Sequence, residues 1–167
     1  MERGQIPAIL AAAVLVVLCA ISAHVSEARD LKQGFVVQGR VFCDTCRAGF
    51  ETPATTYIAG AKVSVECRSK TSGAKTGSYN GVTDHTGTYN ILIAKEHENE
   101  ICESVLISSA DSGCASLVKG RERARVFLTR NNGIATDFRF ANALGFQKDT
   151  PVAGCAQLLK MYEENEV

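Results

Sequence analysis

An alternation of apolar and polar residues with a period of two runs through much of the chain and predicts β-strands. The clearest case is 61–67, where small or apolar side chains alternate with Lys62, Ser64 and Glu66. One face of such a strand can enter a core while the other face meets water. Residues 35–43 alternate in the same way, although less cleanly, so both segments are predicted strands.

A tight hairpin is predicted where Val82 leads into Asp84-His85-Thr86-Gly87. The glycine can take the positive φ that such a turn needs, and the alternation resumes over 89–93. Further strands are predicted at 101–109, 125–129 and 136–140. The polar, glycine-rich segment 69–81 is predicted to be a mobile loop between strands.

Only the end of the chain departs from this pattern. From Ala153 to Glu164 the apolar residues recur at helical spacing, which predicts a short helix. About seven short strands without alternating helices are typical of a mainly β protein. We therefore predict an antiparallel Greek-key sandwich or barrel with a short C-terminal helix. The 60–65 segment together with the turn at 83–89 also resembles prealbumin-like Greek-key modules, in which the tyrosine fills the end of the sandwich.

The first residues have the pattern of a cleavable secretion signal. Glu2 and Arg3 precede an apolar run from Ile6 to Ile21, and small residues offer cleavage after Ala23 or after Ala28. We favour the second position. A run of about 16 residues is shorter than the roughly 20 that a membrane-spanning helix needs. The chain is thus predicted to consist of a leader at 1–28 and one exported domain at 29–167, with no membrane insertion after cleavage.

The number of cysteines indicates that the protein contains disulfides. The chain has seven, and Cys19 would be lost with the leader, which leaves an even set of six. An even set in a small secreted domain predicts a disulfide framework. Spacing alone permits 15 ways of pairing six cysteines. We expect structural disulfides rather than redox catalysis at Cys43-Asp44-Thr45-Cys46, because a strand precedes this segment and no helix pattern follows it.

The charge balance excludes some partners. The chain has 18 basic and 18 acidic residues, and loss of Arg3, Glu2 and Glu27 leaves 17 against 16. Near neutrality argues against nucleic acid or an anionic membrane as the principal partner. Two local charge runs are predicted to be solvated, mutually pairing faces. The acidic run contains Glu96, Glu98, Glu100 and Glu103, and the basic run contains Lys119, Arg121, Arg123 and Arg125.

Recognisable catalytic motifs are missing from the sequence. It contains no His-Glu-x-x-His, no Gly-x-Ser-x-Gly and no phosphate-binding loop. Asp84 next to His85 is better explained as a turn-forming residue than as half of an acid–base pair. The acidic run lacks the spacing of a looped cation site. We therefore predict no catalytic residue, no metal site and no cofactor, and expect the protein not to be an enzyme.

The segment Gln38 to Arg47 (QGRVFCDTCR) and the order of the six cysteines closely resemble the olive pollen major allergen and extensin family, called Ole e 1-like. The likeness runs from about Phe35 to Ala156 and is greatest to pollen-specific secreted proteins of that family. The decapeptide combined with six cysteines in family order is a specific signal, whereas a lone Cys-x-x-Cys would be weak.

The resemblance implies a particular disulfide pairing, in which the first cysteine joins the fifth, the second the sixth and the third the fourth. Carried over to this chain, the pairs are Cys43 with Cys114, Cys46 with Cys155, and Cys67 with Cys102. One departure from the family is that Asn132-Gly133-Ile134 lacks the hydroxyl residue of a glycosylation acceptor, and no other asparagine supplies one. We therefore predict no N-linked glycan.

The resemblance also implies a function and a location. It implies a secreted, non-enzymatic plant protein of the extracellular space or cell wall that takes part in pollen or tissue growth and is a potential allergen. The implied partner is an extracellular protein such as a receptor ectodomain, with cell-wall polysaccharide as a second candidate. The rival functions are a structural wall component and an apoplastic enzyme or enzyme inhibitor.

Overall fold

The computed structural model describes residues 34–130 and 132–164, which form a two-layered β-sandwich. The predicted leader lies outside these residues. Within the described part, the strands are β1 (Phe35–Asp44), β2 (Thr56–Tyr57), β3 (Lys62–Ser69), β4 (Lys75–Val82), β5 (Thr88–Ile93), β6 (Glu100–Ser108), β7 (Ser116–Leu117), β8 (Arg123–Val126), β9 (Phe138–Phe140) and β10 (Leu144–Gln147), followed by α1 (Cys155–Glu163). No described helix has the length and hydropathy to span a membrane.

One sheet is built around β1, which is long enough to have two sets of neighbours. Its first part pairs with β5 and β9, and its last part pairs with β2 and β10. The contacts with β9 and β10 are parallel, so this sheet is mixed rather than purely antiparallel. The second sheet is fully antiparallel, in the order β4-β3-β6-β8. The predicted sandwich is confirmed, and the barrel alternative is wrong.

The core lies between the two sheets and is filled by the alternating apolar residues. Val37 and Val41 from β1 meet Val63 and Val65 from β3, and all four are at most 1% exposed. Burying a side chain of this size stabilises the fold by roughly 1.5–3 kcal/mol. Of the intervening residues of β1, Val36, Gln38 and Arg40 stay accessible, whereas Phe42 and Asp44 are fully buried. The period of two read from the sequence therefore sets the buried face in the first part of β1, while both faces are buried from Val41 to Asp44.

Two local predictions are wrong. Residues 69–81 are not one mobile loop, because β4 occupies Lys75–Val82 and forms the edge of the second sheet. The hairpin predicted at 84–87 is a tight turn, closed by Gly87 N–H donating to the Asp84 carbonyl at 3.0 Å, but the strands it joins do not pair with each other. β4 pairs with β3 and β5 pairs with β1, so the chain changes sheet at this turn.

Tyr89 is fully buried and packs over Gly39, its cross-strand neighbour on β1. A Cβ atom at position 39 would lie 2.3 Å from the Tyr89 hydroxyl oxygen, so only glycine fits there. Burial raises the pKa of Tyr89 to about 12, although the Ser104 hydroxyl opposes this shift. The tyrosine is therefore a neutral, space-filling part of the core.

A buried arginine holds the loops at one end of the sandwich. Arg139 is 3% exposed, and its guanidinium donates to the carbonyl oxygens of Phe127 at 2.9 Å and Thr129 at 3.0 Å, and also to those of Thr136 and Phe138. It lies 4.5 Å from the centre of the Phe35 ring. Burial lowers the pKa of Arg139, yet the carbonyl dipoles satisfy its charge. One cation thus ties together two segments that do not pair as strands.

Candidate functional site

The six cysteines predicted as the framework are all buried and all joined. The bonds are Cys43–Cys114, Cys46–Cys155 and Cys67–Cys102, with Cα–Cα distances of 6.0, 5.3 and 4.1 Å. These are the pairs that the family resemblance implies. Because Cys43 and Cys46 bond to different partners, the Cys-x-x-Cys segment is not a dithiol centre in this state. It is instead an anchor for two separate parts of the chain.

Asp44 organises the turn between the first two cysteines. It is fully buried, and its carboxylate accepts hydrogen bonds from the backbone N–H of Cys46 at 3.2 Å and of Gly49 at 2.7 Å. Thr45 donates its hydroxyl to the Ala54 carbonyl at 2.8 Å. These bonds satisfy polar groups that would otherwise be buried without partners. The turn therefore presents its two sulfur atoms in fixed directions.

The helix at the end of the chain depends on one of these bonds. Of the residues of α1, only Cys155 is buried, and the ring of Tyr162 contacts that of Phe50 edge-on at 5.1 Å. A helix of 9 residues is marginal by itself in water. The Cys46–Cys155 bond therefore holds α1 on the sandwich.

The predicted turn residue Asp84 and its neighbour His85 do not form an acid–base pair. The Asp84 carboxylate accepts from the backbone N–H of Thr86 at 2.8 Å and of Thr88 at 3.1 Å, and from the Thr86 hydroxyl at 2.6 Å. The Thr86 hydroxyl and these N–H groups lower the pKa of Asp84. Such a carboxylate stabilises the turn rather than accepting protons near neutrality.

The acidic run is dispersed by the fold and pairs with several cations. Glu103 meets Arg123 at 2.7 Å across β6 and β8, while Glu96 meets Arg130 at 3.1 Å. These side chains are between a quarter and a half exposed. Exposed pairs of this kind contribute about 0–1 kcal/mol each. The charge runs do not converge on one binding site.

His97, which the sequence places in the acidic run, is buried. Its two ring nitrogens face the Glu100 carboxylate and, at 3.1 Å, the Tyr79 hydroxyl. Burial raises the pKa of Glu100, but hydrogen bonds from His97 and Thr76 and the His97 charge outweigh it and lower the pKa overall. The ligand atoms of His97, Glu100, Cys67 and Cys102 lie within 4.8 Å of one another. The two sulfurs are bonded to each other, however, and so offer no thiolate to a metal.

An open groove with a mixed polar and apolar lining and a volume of about 580 Å³ lies beside β1. It lies near Arg40 and Val41, where β1 changes its neighbours. Before this point β1 pairs with β5 and β9, and after it β1 pairs with β2 and β10. The residues that line it come from β1 and the segments beside it: Gln38, Gly39, Arg40, Glu51, Tyr57, Thr88, Phe140, Ala141 and Ala143. We call this the β1 groove.

The polar and aromatic groups of the β1 groove hold one another in place. The Arg40 guanidinium carbon lies 3.4 Å from the centre of the Tyr57 ring, and the Tyr57 hydroxyl donates to Glu51 at 2.9 Å. That hydrogen bond, together with burial, raises the pKa of Tyr57, so the hydroxyl stays protonated at neutral pH. Gln38 donates to Asn90 at 2.8 Å. The lining therefore carries one cation, one anion and planar polar groups in a fixed arrangement.

Sequence reasoning did not identify this groove. Its residues are scattered over 38–143, and each is ordinary alone. The sequence did contain a clue in β1, because the polar residues Gln38 and Arg40 alternate with buried residues and so lie on its accessible face. The pairing of β1 with β9 and β10, which supplies Phe140, could not be read from the local pattern.

The two packed sheets and the three disulfides place this protein in the class of disulfide-linked β-sandwich proteins. The sequence model of the family described as "Pollen protein Ole e 1 like" matches residues 33–163. The chain is 45% identical to "Pollen-specific protein C13" of Zea mays over 160 residues, covering 96% of this chain and 94% of that protein. It is 44% identical to "Pollen allergen Phl p 11" of Phleum pratense, covering 80% and 94%.

The fold has a solved relative among pollen allergens. The crystal structure of the major plantain pollen allergen Pla l 1 superposes with a TM-score of 0.65 at 29% identity, covering 73% of this chain and 99% of that one. The chain belongs to the Ole e 1-like family of pollen proteins, as its decapeptide and cysteine order predicted.

Proposed function

We propose that the protein is secreted and acts outside the cell as a non-enzymatic interaction module in pollen or growing plant tissue. The observation that carries this proposal is the set of three buried disulfides on a family-typical sandwich. Structural disulfides persist in oxidising compartments, and a reducing cytosol disfavours them. The leader-like pattern at 1–28 supports the same location.

The scaffold suits binding because its surface loops are held by covalent bonds. Loop-closure reasoning gives about 4–5 kcal/mol for each bond, since their sequence separations are 71, 109 and 35 residues. A surface ordered before contact loses little entropy on binding. We therefore propose an extracellular macromolecule as the partner, with a receptor ectodomain as the protein candidate, and we include recognition by human IgE as a potential allergen.

The decisive experiment has two stages. First, the full chain is expressed with its leader in plant cells, and the secreted material is analysed by mass spectrometry for an N-terminus created by cleavage after Ala23 or after Ala28. Second, the purified oxidised protein is immobilised and exposed to extracellular fluid from its own tissue. We expect a reproducible partner that a reduced and alkylated sample fails to retain. Retention of the protein inside the cell would refute the proposal.

A second candidate is association with wall polysaccharide, and the β1 groove is the observation that favours it. Salt extraction separates the two candidates, because a module bound to a soluble partner elutes readily while a wall component stays with the polysaccharide fraction. The enzyme alternative predicts turnover of wall-hydrolase or protease substrates, and the inhibitor alternative predicts stoichiometric blockade. We expect neither. The Tyr79 hydroxyl does bond the His97 ring, but His97 is only 7% exposed, so a substrate has little access to this pair.

A further inference from the structure

We propose that the β1 groove binds a neutral, linear oligosaccharide, so that the ligand is a segment of an extracellular polysaccharide. This inference rests on the proposed extracellular function and names the surface and the ligand chemistry. It follows from four properties of the groove: exposed aromatic rings, fixed planar polar groups, a balanced charge, and a β1 backbone that is paired except for a short gap on one side.

Two partly exposed aromatic rings line the groove, and Arg40 covers one face of the Tyr57 ring. Phe140 is 73% exposed and Tyr57 is 39% exposed, although each ring is held by its neighbours. Phe140 stacks against Phe138 with ring centres 6.3 Å apart and an angle of 17° between the planes. Tyr57 is held by Arg40 and Glu51. A solvent-facing ring with a fixed plane gains from covering by an apolar surface. The C–H faces of a sugar ring are such a surface.

Groups that bond hydroxyls stand between these rings. Arg40 supplies several N–H donors, Glu51 supplies acceptor oxygens, and Gln38 supplies an amide with both functions. A sugar needs donors and acceptors together, because each hydroxyl both donates and accepts. The existing bonds from Gln38 to Asn90 and from Tyr57 to Glu51 hold these groups ready, which reduces the ordering cost of binding.

The charges of the groove argue for a neutral ligand. Arg40 and Glu51 contribute one charge of each sign. A polyanion such as an acidic polysaccharide would gain from Arg40 but would be opposed by Glu51. A phosphate-containing ligand would likewise be attracted by Arg40 and repelled by Glu51. A lining without net charge therefore favours a ligand without net charge.

The backbone argues against an extended peptide in the same place. A peptide gains most of its affinity at a sheet by adding a strand to an unpaired edge. β1 pairs with β5 as far as Arg40, and on its other side with β9 as far as Gln38 and with β10 from Val41. The gap at Gly39 and Arg40 is only two residues long, which is too short for an added peptide strand. The groove therefore offers side chains rather than main-chain groups, which suits a sugar better than a peptide.

The test is titration of the ¹⁵N-labelled, disulfide-intact mature protein with defined oligosaccharides, followed by NMR. The neutral probes are cellohexaose, mannohexaose and galactohexaose, and the acidic probe is hexagalacturonic acid. We expect at least one neutral probe to shift the amide signals of β1 and of the Phe140 segment, with a Kd of about 0.1–1 mM, typical of a shallow site.

Variants inside and outside the β1 groove test whether the oligosaccharide binds there. F140A removes an aromatic ring from the groove lining and should weaken binding about tenfold, the loss of roughly 1.4 kcal/mol of ring contact. F127A is the matched control, because Phe127 is 58% exposed but lies on the second sheet's side of the molecule, after β8. It should leave the Kd within about twofold. R40Q, at an exposed position, should also weaken binding.

Three outcomes would overturn the inference. The first is no shift with any neutral probe at about 10 mM, and the second is tighter binding of hexagalacturonic acid than of every neutral probe. The third is equal loss of binding in F140A and F127A. Failure here is separable from failure of the proposed function: a secreted protein whose F140A form still captures a receptor ectodomain would keep that function and lose the glycan site.

Discussion

Replacing Gly39 with alanine tests the packing of the sandwich at its tightest point. The new Cβ would lie 2.3 Å from the hydroxyl oxygen and 2.6 Å from the ring carbon that carries it in Tyr89. The ring is fully buried and cannot swing into solvent. Overpacking of this kind costs about 3 kcal/mol, and the lower entropy of the unfolded alanine chain offsets about 0.5–1 kcal/mol. We expect a net loss of about 2 kcal/mol.

The assay is guanidinium unfolding of the oxidised protein followed by far-UV circular dichroism, because the chain has no tryptophan. In a separate thermal melt followed by the same signal, the expected loss corresponds to a fall in Tm of about 6–8 °C for a domain of this size. G113A is the matched control, since a Cβ at Gly113 would come no closer than 3.3 Å to a side-chain oxygen of Asp111.

A double-mutant cycle assigns the loss to the ring. In a Y89L background the G39A substitution should cost less than half as much, because the smaller side chain can yield. The reasoning is refuted if G39A unfolds within about 0.5 kcal/mol of the wild type, a difference typical of neutral surface changes. An undiminished penalty in the Y89L background would equally refute it.

Three further predictions concern buried groups. Arg139→Met should cost about 3–5 kcal/mol in chemical unfolding by stranding four carbonyls, whereas Arg125→Met at an exposed position should cost under about 1 kcal/mol; equal losses would contradict the role of Arg139. Burial raises the pKa of Tyr89 to about 12, so Tyr89 should be the last tyrosine to ionise in a titration followed at 295 nm. The stability that its neutral form contributes should be complete below pH 10 and be lost between about pH 10 and 12. Ionisation of Tyr89 near pH 10 in the folded protein would contradict its burial. The pair Cys46→Ser with Cys155→Ser should lower unfolding free energy by about 4–5 kcal/mol and lose helical circular dichroism from α1; an unchanged helical signal would show that α1 packs without the bond.

The sequence pattern predicted those strands and the helix whose own residues show a regular spacing of apolar side chains. Apolar and polar residues alternate along β3 and along the first part of β1, and the spacing in the tail predicted α1, because these signals depend only on neighbouring residues. β4 was missed because KTGSYNGV has almost no apolar face. β4 is an edge strand that backbone hydrogen bonds hold to β3, and most of its residues are exposed. Its sequence therefore shows no alternation of apolar and polar residues.

The candidate site was less predictable than the fold. The pairing of the cysteines was available only through family resemblance, since 15 pairings satisfy the spacing. The β1 groove depends on β1 changing partners in mid-strand, a non-local event. The burial of Arg139 was hidden for the same reason, because its four acceptors come from segments brought together by the sandwich. A charged residue in a short strand gives no local sign of such contacts.

The central claim is that a secreted chain is locked by three disulfides into a rigid binding scaffold. Peptide mapping of the native secreted protein without reduction tests it most directly. The account predicts three linked peptide pairs, containing Cys43 with Cys114, Cys46 with Cys155 and Cys67 with Cys102, and no alkylated thiol. Free thiols at these positions, or Cys43 linked to Cys46, would contradict it.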